Sequence, residues 1–192
     1  MTAHPDKSTT APASRVAALA RGASLLFSGV FAGFLVAVFV LEMSLRGFDG
    51  QVYTQVRQVE LDALDRLATA TLLPATIATV FLVVLAFKGR GRTPWLLLTA
   101  LTLLAGILVL TLAVNLPINA DQLDWHVQAP PADWARVRDR WQIAHGVRTC
   151  AGLLAFGALI AHAARGARAP DRAASPVGSP GAPERSPLRQ RT

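Results

Sequence analysis

Apolar residues run along this chain in four long blocks, at about residues 23–45, 67–87, 94–115 and 146–164, with charged positions between and beyond them except for Glu42 and Arg148, each near the end of its block. Each block is close to the roughly 20 residues that carry an α-helix across about 30 Å of hydrocarbon. The pattern therefore predicts an all-α, integral membrane four-helix bundle over residues 21–165. The first block is longer than a signal-peptide core and no convincing cleavage site follows it, so it reads as a retained helix. Within it Gly29 and Gly33 form a G-x-x-x-G pair, small residues that let another helix approach closely.

Pro74 falls near the outer end of the second block, where a kink is tolerable if neighbours satisfy the freed carbonyl. The third block opens on Thr93 as a plausible N-cap with Pro94 at the first helical position, and Pro117 discourages helix beyond Asn115. In the fourth, helical periodicity extends back from Gly146 to about Asp133, which predicts a last helix that projects from the membrane before entering it. Residues 1–20 and 166–192 are rich in Pro, Ala, Ser, Thr and Arg without an apolar stripe, and are expected to be disordered tails.

Charge sets the orientation. Lys7, Arg15 and Arg21 precede the first span, Lys88, Arg90 and Arg92 separate the second from the third, and Arg165, Arg168 and Arg172 follow the fourth. By the positive-inside rule these regions are cytoplasmic, so both termini lie inside a cell membrane that the chain crosses several times. The loops at 46–66 and 116–144 then lie outside, against the mild contrary pull of Arg136, Arg138 and Arg140. The net charge of +7 on 192 residues is accounted for in this way and points to lipid rather than nucleic acid. Cys150 is the only cysteine, which excludes an intramolecular disulfide, a paired-cysteine redox site and a thiolate metal cluster. With almost no ionisable group inside the spans, an ion-coupled transporter or channel is also disfavoured.

The residues able to do chemistry gather instead at one end of the predicted bundle. Glu42 closes the first span, Asn115 and Asn119 close the third, and His145 and Arg148 open the fourth. Trp134, Arg138, Trp141, His145 and Arg148 are spaced by four, three, four and three residues, so all five share one helix face. Each has a plain structural reading. The tryptophans suit a lipid interface, Glu42 can pair with Arg46 four residues on, and Asn115 and Asn119 can cap a helix that Pro117 stops. The functional reading sets Glu42 against His145 to orient the imidazole, and aims both amides into an otherwise apolar pocket.

Four spans, Tyr53, Arg57 and Gln58 after the first, then N-x-P-x-N at residues 115–119 and W-x6-W-x3-H-x2-R at residues 134–148 together form a pattern. Over roughly residues 25–164 the chain resembles the anthrone oxygenase-like family of small membrane proteins. The resemblance implies a possible cofactor-independent monooxygenase acting with oxygen on an aromatic or phenolic small molecule. Its bacterial relatives largely have no assigned reaction. In the implied mechanism His145 removes a proton, Arg148 with Asn115 and Asn119 stabilises the oxyanion, and Trp134 and Trp141 sandwich the ring. Glu42 orients His145, and Tyr53 and Arg57 join the substrate site. No Gly-rich phosphate loop is present for a nucleotide cofactor, and no cofactor or metal is assigned. Two alternatives stand beside this one: a metal site built from His126, His145 and Glu42, and a non-catalytic scaffold binding a partner or lipid at its outer face. Oligomeric state is not legible.

Overall fold

The computed structural model describes residues 11–89 and 94–167. Thr93, Arg90, Arg92 and the segments 1–10 and 168–192, including most of the expected C-terminal tail, lie outside the described residues. Helix α1 covers Ala11–Ser44 and ends in a 3-10 turn at Leu45–Gly47; α2 covers Gly50–Lys88, α3 Trp95–Leu110, α4 Leu116–Leu123 and α5 Trp134–Ala167. A π-helical turn, Thr111–Asn115, joins α3 to α4 without a break. Among the described residues, four continuous helical stretches are long and apolar enough to cross a membrane, namely α1, α2, α3 through α4, and α5. The protein is thus a multi-pass helical bundle.

Helix α1 packs between α2 and α5, and α3 between α5 and α2, so the four helices close into a ring. Two apolar layers fill it: Phe31, Leu35, Leu72, Leu104, Ile107 and Ala155 at mid-height, and Leu82, Val83, Leu97, Ala100, Ala158 and Leu159 toward the basic end. Large apolar side chains such as Leu26, Ile77, Val109 and Leu154 point outward around the bundle, the arrangement expected where lipid is the solvent. Trp95, 70% exposed at the start of α3, is the interfacial anchor. Only half of the G-x-x-x-G pair is a contact. A Cβ at Gly29 would meet the Phe156 ring of α5 at 3.1 Å, whereas Gly33 faces open space.

Three elements differ from the sequence expectation, each for a local reason. Helix α1 begins at Ala11, inside the expected tail, because the run Val16-Ala17-Ala18-Leu19-Ala20 supplies strong helix formers after Pro12 in the first turn. Helix α2 begins at Gly50 rather than near 67 and has 39 residues, about 58 Å of helix, so residues 50–66 are helix rather than loop. The Asp49 carboxylate starts it by accepting from the Gln51 and Val52 amides at 3.1 and 3.0 Å. The third span does not stop at Asn115. Pro117 lacks an amide hydrogen and would crowd the carbonyl four residues back. The wider turn absorbs this: the Leu116 amide donates five residues back to Thr111, and α4 continues with Pro117 in its first turn. The backward extension of the last helix matches the expectation, with α5 starting at Trp134.

Candidate functional site

The end of the bundle opposite the basic residues holds an interconnected set of buried polar side chains drawn from every spanning helix. Arg57 of α2 is its hub. Its Nη1 lies 3.0 Å from Glu42 Oε1 on α1 and 2.8 Å from Glu60 Oε2, and all three side chains are at most 7% exposed. Its Nη2 donates to Asn119 Oδ1 at 3.0 Å and its Nε to Gln122 Oε1 at 3.1 Å, both on α4. The guanidinium also sits 4.1 Å from the centroid of the Trp141 ring on α5. A planar five-donor group suits this position because each contact leaves in a different direction.

The remaining polar residues lock onto this hub. Asn119 Oδ1 also accepts from Trp141 Nε1 at 2.6 Å, and its amide donates to Asp65 Oδ1 at 3.2 Å. Gln122 donates to the fully buried Tyr53 hydroxyl at 3.1 Å. Gln142 donates to the Glu42 carbonyl and carboxylate at 2.8 and 3.0 Å and accepts from Arg46 at 2.6 Å. Arg46 also pairs with Asp139 at 3.1 Å, so the expected local pairing with Glu42 does not form.

His145 stacks on Trp141, with ring centroids 4.8 Å apart and planes 7° from parallel. Its Nε2 lies 3.0 Å from the Leu35 carbonyl of α1. A carbonyl only accepts, so Nε2 carries the hydrogen, and in the neutral ring Nδ1 keeps its lone pair. Nδ1 is buried without a partner. The expected bond from Glu42 to His145 is absent: Glu42 is engaged by Arg57 and Gln142, and a backbone carbonyl fixes the imidazole instead.

His145, Arg148, Arg57, Glu60, Asp65 and Asn119 line a cavity of about 30 Å3, walled on its apolar side by Phe34, Val38, Leu64 and Ala68. It has room for about one water or a dioxygen molecule. A pocket already wide enough for an aromatic ligand is therefore not present at His145, contrary to expectation. The unpaired buried polar atoms include His145 Nδ1, Arg148 Nε, Glu60 Oε1 and Asn115 Oδ1. A native interior rarely leaves such atoms without partners, and sites of reaction are among the exceptions.

The other expected site residues take varied positions. Asn115 lies fully buried in the π-helical turn, its amide 3.5 Å from the Trp141 carbonyl. Asn119 is buried but has both ends of its amide engaged, so it is not a free oxyanion donor. Trp141 is 3% exposed and belongs to the core rather than the lipid interface. Trp134 packs beside Tyr53, centroids 5.6 Å apart, under the Arg138 guanidinium, in a separate cluster with Leu45 and Trp125. The two tryptophans do not face one another across a gap. His126 is exposed in the connection between α4 and α5, and the described residues hold no group of three metal-donor side chains.

Glu60, Asp65, Gln122 and Gln142 were not anticipated. A helical stripe at Tyr53, Arg57, Glu60 and Leu61 was available to reveal Glu60, but only if residues 50–66 were read as helix. A second concavity, a groove of about 330 Å3, lies outside this wall between the π-helical turn and α5. Its floor is Val114, Pro117, Ile118 and Val137, and Arg136, Arg140 and Asp121 stand at its rim.

Set beside known proteins, residues 64–158 match the family model described as anthrone oxygenase. That stretch contains Asp65, Asn115, Asn119, Trp134, Trp141, His145 and Arg148, and begins after Glu42, Tyr53, Arg57 and Glu60. No curated protein and no solved structure matches the chain. Over residues 64–158, just under half of its length, this multi-pass membrane chain matches the anthrone oxygenase family model.

Proposed function

We propose that the protein is a cofactor-independent oxygenase that uses His145 as a base on an aromatic or phenolic small molecule with an acidic C–H bond. The observation that carries this is the imidazole itself. Its tautomer is fixed by the Leu35 carbonyl, its free Nδ1 is buried, and it borders a cavity of dioxygen size. Removing a proton from a carbon flanked by an aryl ketone gives an enolate that reacts with oxygen without a metal or flavin. The protein then supplies a base, a donor for the oxyanion and exclusion of water.

Arg148 is the donor, since its Nε is unsatisfied and its side chain lines the same cavity. Asn115 is a second, with only a long contact to Trp141 in competition. Trp141 offers the ring surface. Glu42, Tyr53 and Arg57 act behind these groups, holding Trp141 and Asn119 in register. The half-buried Leu64 and Ala68 on α2 are the apolar wall that an aromatic substrate has to displace to reach this cavity. Lys88, Arg165, Arg15 and Arg21 cluster at the opposite end, which supports cytoplasmic termini in the cell membrane and a site near the outer face.

The test is oxygen consumption by purified, detergent-solubilised protein given anthrone, with His145→Ala and a chelator-treated sample alongside. Loss of a general base lowers turnover by about 10²–10⁴, so the variant should fall to background while the chelated protein keeps its rate. Undiminished turnover by folded His145→Ala would overturn the reading. A second reading, a scaffold that holds lipid at its outer face, is favoured by the groove beside Arg136 and Arg140. It expects no uptake by any sample and full tolerance of His145→Ala.

A further inference from the structure

The oxygenase reading uses His145 and Arg148 as reacting groups but gives neither of the two buried carboxyl groups beside Arg57 a part in its proton transfers. Glu42 and Glu60 both approach the same nitrogen, Nη1 of Arg57, at 3.0 and 2.8 Å. One guanidinium neutralises one carboxylate. A second carboxylate, 7% exposed and close to the first, would stand as an uncompensated buried charge, which is far costlier than binding a proton. The wider surroundings do not supply the missing positive charge. The charged and titratable groups in contact with the pair or lining the same cavity are Tyr53, Arg57 and Asp65 on α2 and His145 and Arg148 on α5, while α4 contributes only the amides of Asn119 and Gln122; Arg46 reaches Glu42 only through Gln142, is nearly half exposed to solvent and, with Arg138, pairs with Asp139 instead. Among the groups in direct contact or lining the cavity, three carboxylates thus meet two guanidiniums, and the solvent-screened Arg46 is too far from Glu60 to make up the difference by contact. His145 cannot correct it, because its only partner is a neutral carbonyl.

Glu60 rather than Glu42 lines the cavity next to His145, and one carboxyl oxygen of each, Glu42 Oε1 and Glu60 Oε1, is buried without a hydrogen-bond partner. We propose that Glu42 and Glu60 share one proton around Arg57, and that Glu60 delivers it to the hydroxide leaving a substrate hydroperoxide. This rests on the oxygenase reading. A cavity bordered by a free imidazole nitrogen and a protonated carboxyl has the base and the acid that the two halves of such a reaction require.

The balance is as follows. His145 Nδ1 takes one proton from the substrate CH2, the carbanion forms a C–O bond to dioxygen, and the imidazolium returns the proton to give the hydroperoxide. His145 then takes the second C–H proton, the C–H electrons form the carbonyl, the O–O bond breaks, and the departing hydroxide collects the Glu60 proton as water. The imidazolium proton then replenishes the Glu42/Glu60 pair. Carbon loses four electrons, dioxygen gains four, and the products are a ketone and one water.

Glu60→Gln keeps the size of the side chain and an oxygen for Arg57 but has no acid proton. With anthrone as the probe, the variant is expected to keep oxygen uptake within a few-fold of wild type, to form ketone about 100-fold more slowly, and to accumulate organic hydroperoxide. Infrared spectra of the same proteins without substrate should show a protonated-carboxyl band in wild type that disappears in Glu60→Gln and in Glu42→Gln. Ketone formation at the wild-type rate by Glu60→Gln overturns the delivery step. A band absent from wild type, or unchanged in both variants, overturns the shared proton. If wild type takes up no oxygen, the oxygenase reading and the delivery step fall together, and the infrared band alone decides whether the proton site exists.

Discussion

Replacing Arg57 by Met removes the one positive charge among the described residues that contacts Glu42 and Glu60, while keeping an unbranched chain of similar reach. The variant loses two ion-pair contacts at 2.8 and 3.0 Å, hydrogen bonds to Asn119 and Gln122, and the stacking on Trp141. Truncating one partner of a buried pair costs about 3–5 kcal/mol, because the other partner is stranded rather than because the pair itself is strongly favourable. We expect about 4 kcal/mol of lost stability, close to a thousandfold in the unfolding equilibrium. If stranded carboxylates are the cause, the triple variant Glu42→Gln/Glu60→Gln/Arg57→Met should recover most of the loss and lie within about 1–2 kcal/mol of wild type. Unfolding in mixed micelles by titration with a denaturing detergent, followed by far-ultraviolet circular dichroism, gives both numbers. A single variant within about 1 kcal/mol of wild type, or a triple variant no more stable than the single, would refute the reasoning.

Two further outcomes follow from close approaches and a surface pair. A Cβ at Gly50 would lie 2.8 Å from the Trp134 indole nitrogen and 3.0 Å from Pro130, both rigid groups, whereas Gly33 has open space around it. Gly50→Ala should therefore destabilise by about 1–3 kcal/mol as overpacking does, and Gly33→Ala should be neutral or stabilising by up to about 1 kcal/mol through helix propensity; the same micelle titration checks both. The hydrogen bond from Arg136, at 2.6 Å, holds the Asp133 carboxyl below the usual carboxylate range. A depressed folded value means the support is present above the ordinary Asp value of about 3.9 and is lost as pH falls through the folded value. Amide exchange in the first turn of α5 should quicken below about pH 4 in wild type and be insensitive to pH there in Asp133→Asn, once the intrinsic exchange rate is divided out.

The spanning helices were legible because their apolar blocks are long, and the last helix was placed correctly because its stripe from Trp134 to Arg148 is uninterrupted. Helix α2 was half hidden. Glu60, Asp62, Asp65 and Arg66 break its apolar run, and hydropathy alone cannot distinguish charged residues in a loop from charged residues on a helix that face a partner. Pro117 misled for the opposite reason: proline reports a local incompatibility with the α-helix, and a π-helical turn relieves that incompatibility without ending the helix. At the site, the sequence gathered His145, Arg148, Asn115 and Glu42 at one level of the bundle, but not their partners. Arg57 rather than His145 captures Glu42, since a guanidinium offers a buried carboxylate more than a neutral imidazole does. The orientation of His145 by a backbone carbonyl leaves no trace in side-chain identities.

The pairing of Glu42 with Arg57 also bears on how the protein is made. These residues sit on consecutive helices joined by the short turn at Leu45–Gly47, so the carboxylate and guanidinium are matched as soon as the first hairpin emerges. Nothing from α4 or α5 is needed to match this carboxylate with its guanidinium, so the amino-terminal hairpin carries its own charge pair. Asn119 and Trp141 add to an arrangement whose opposite charges the first two helices already supply.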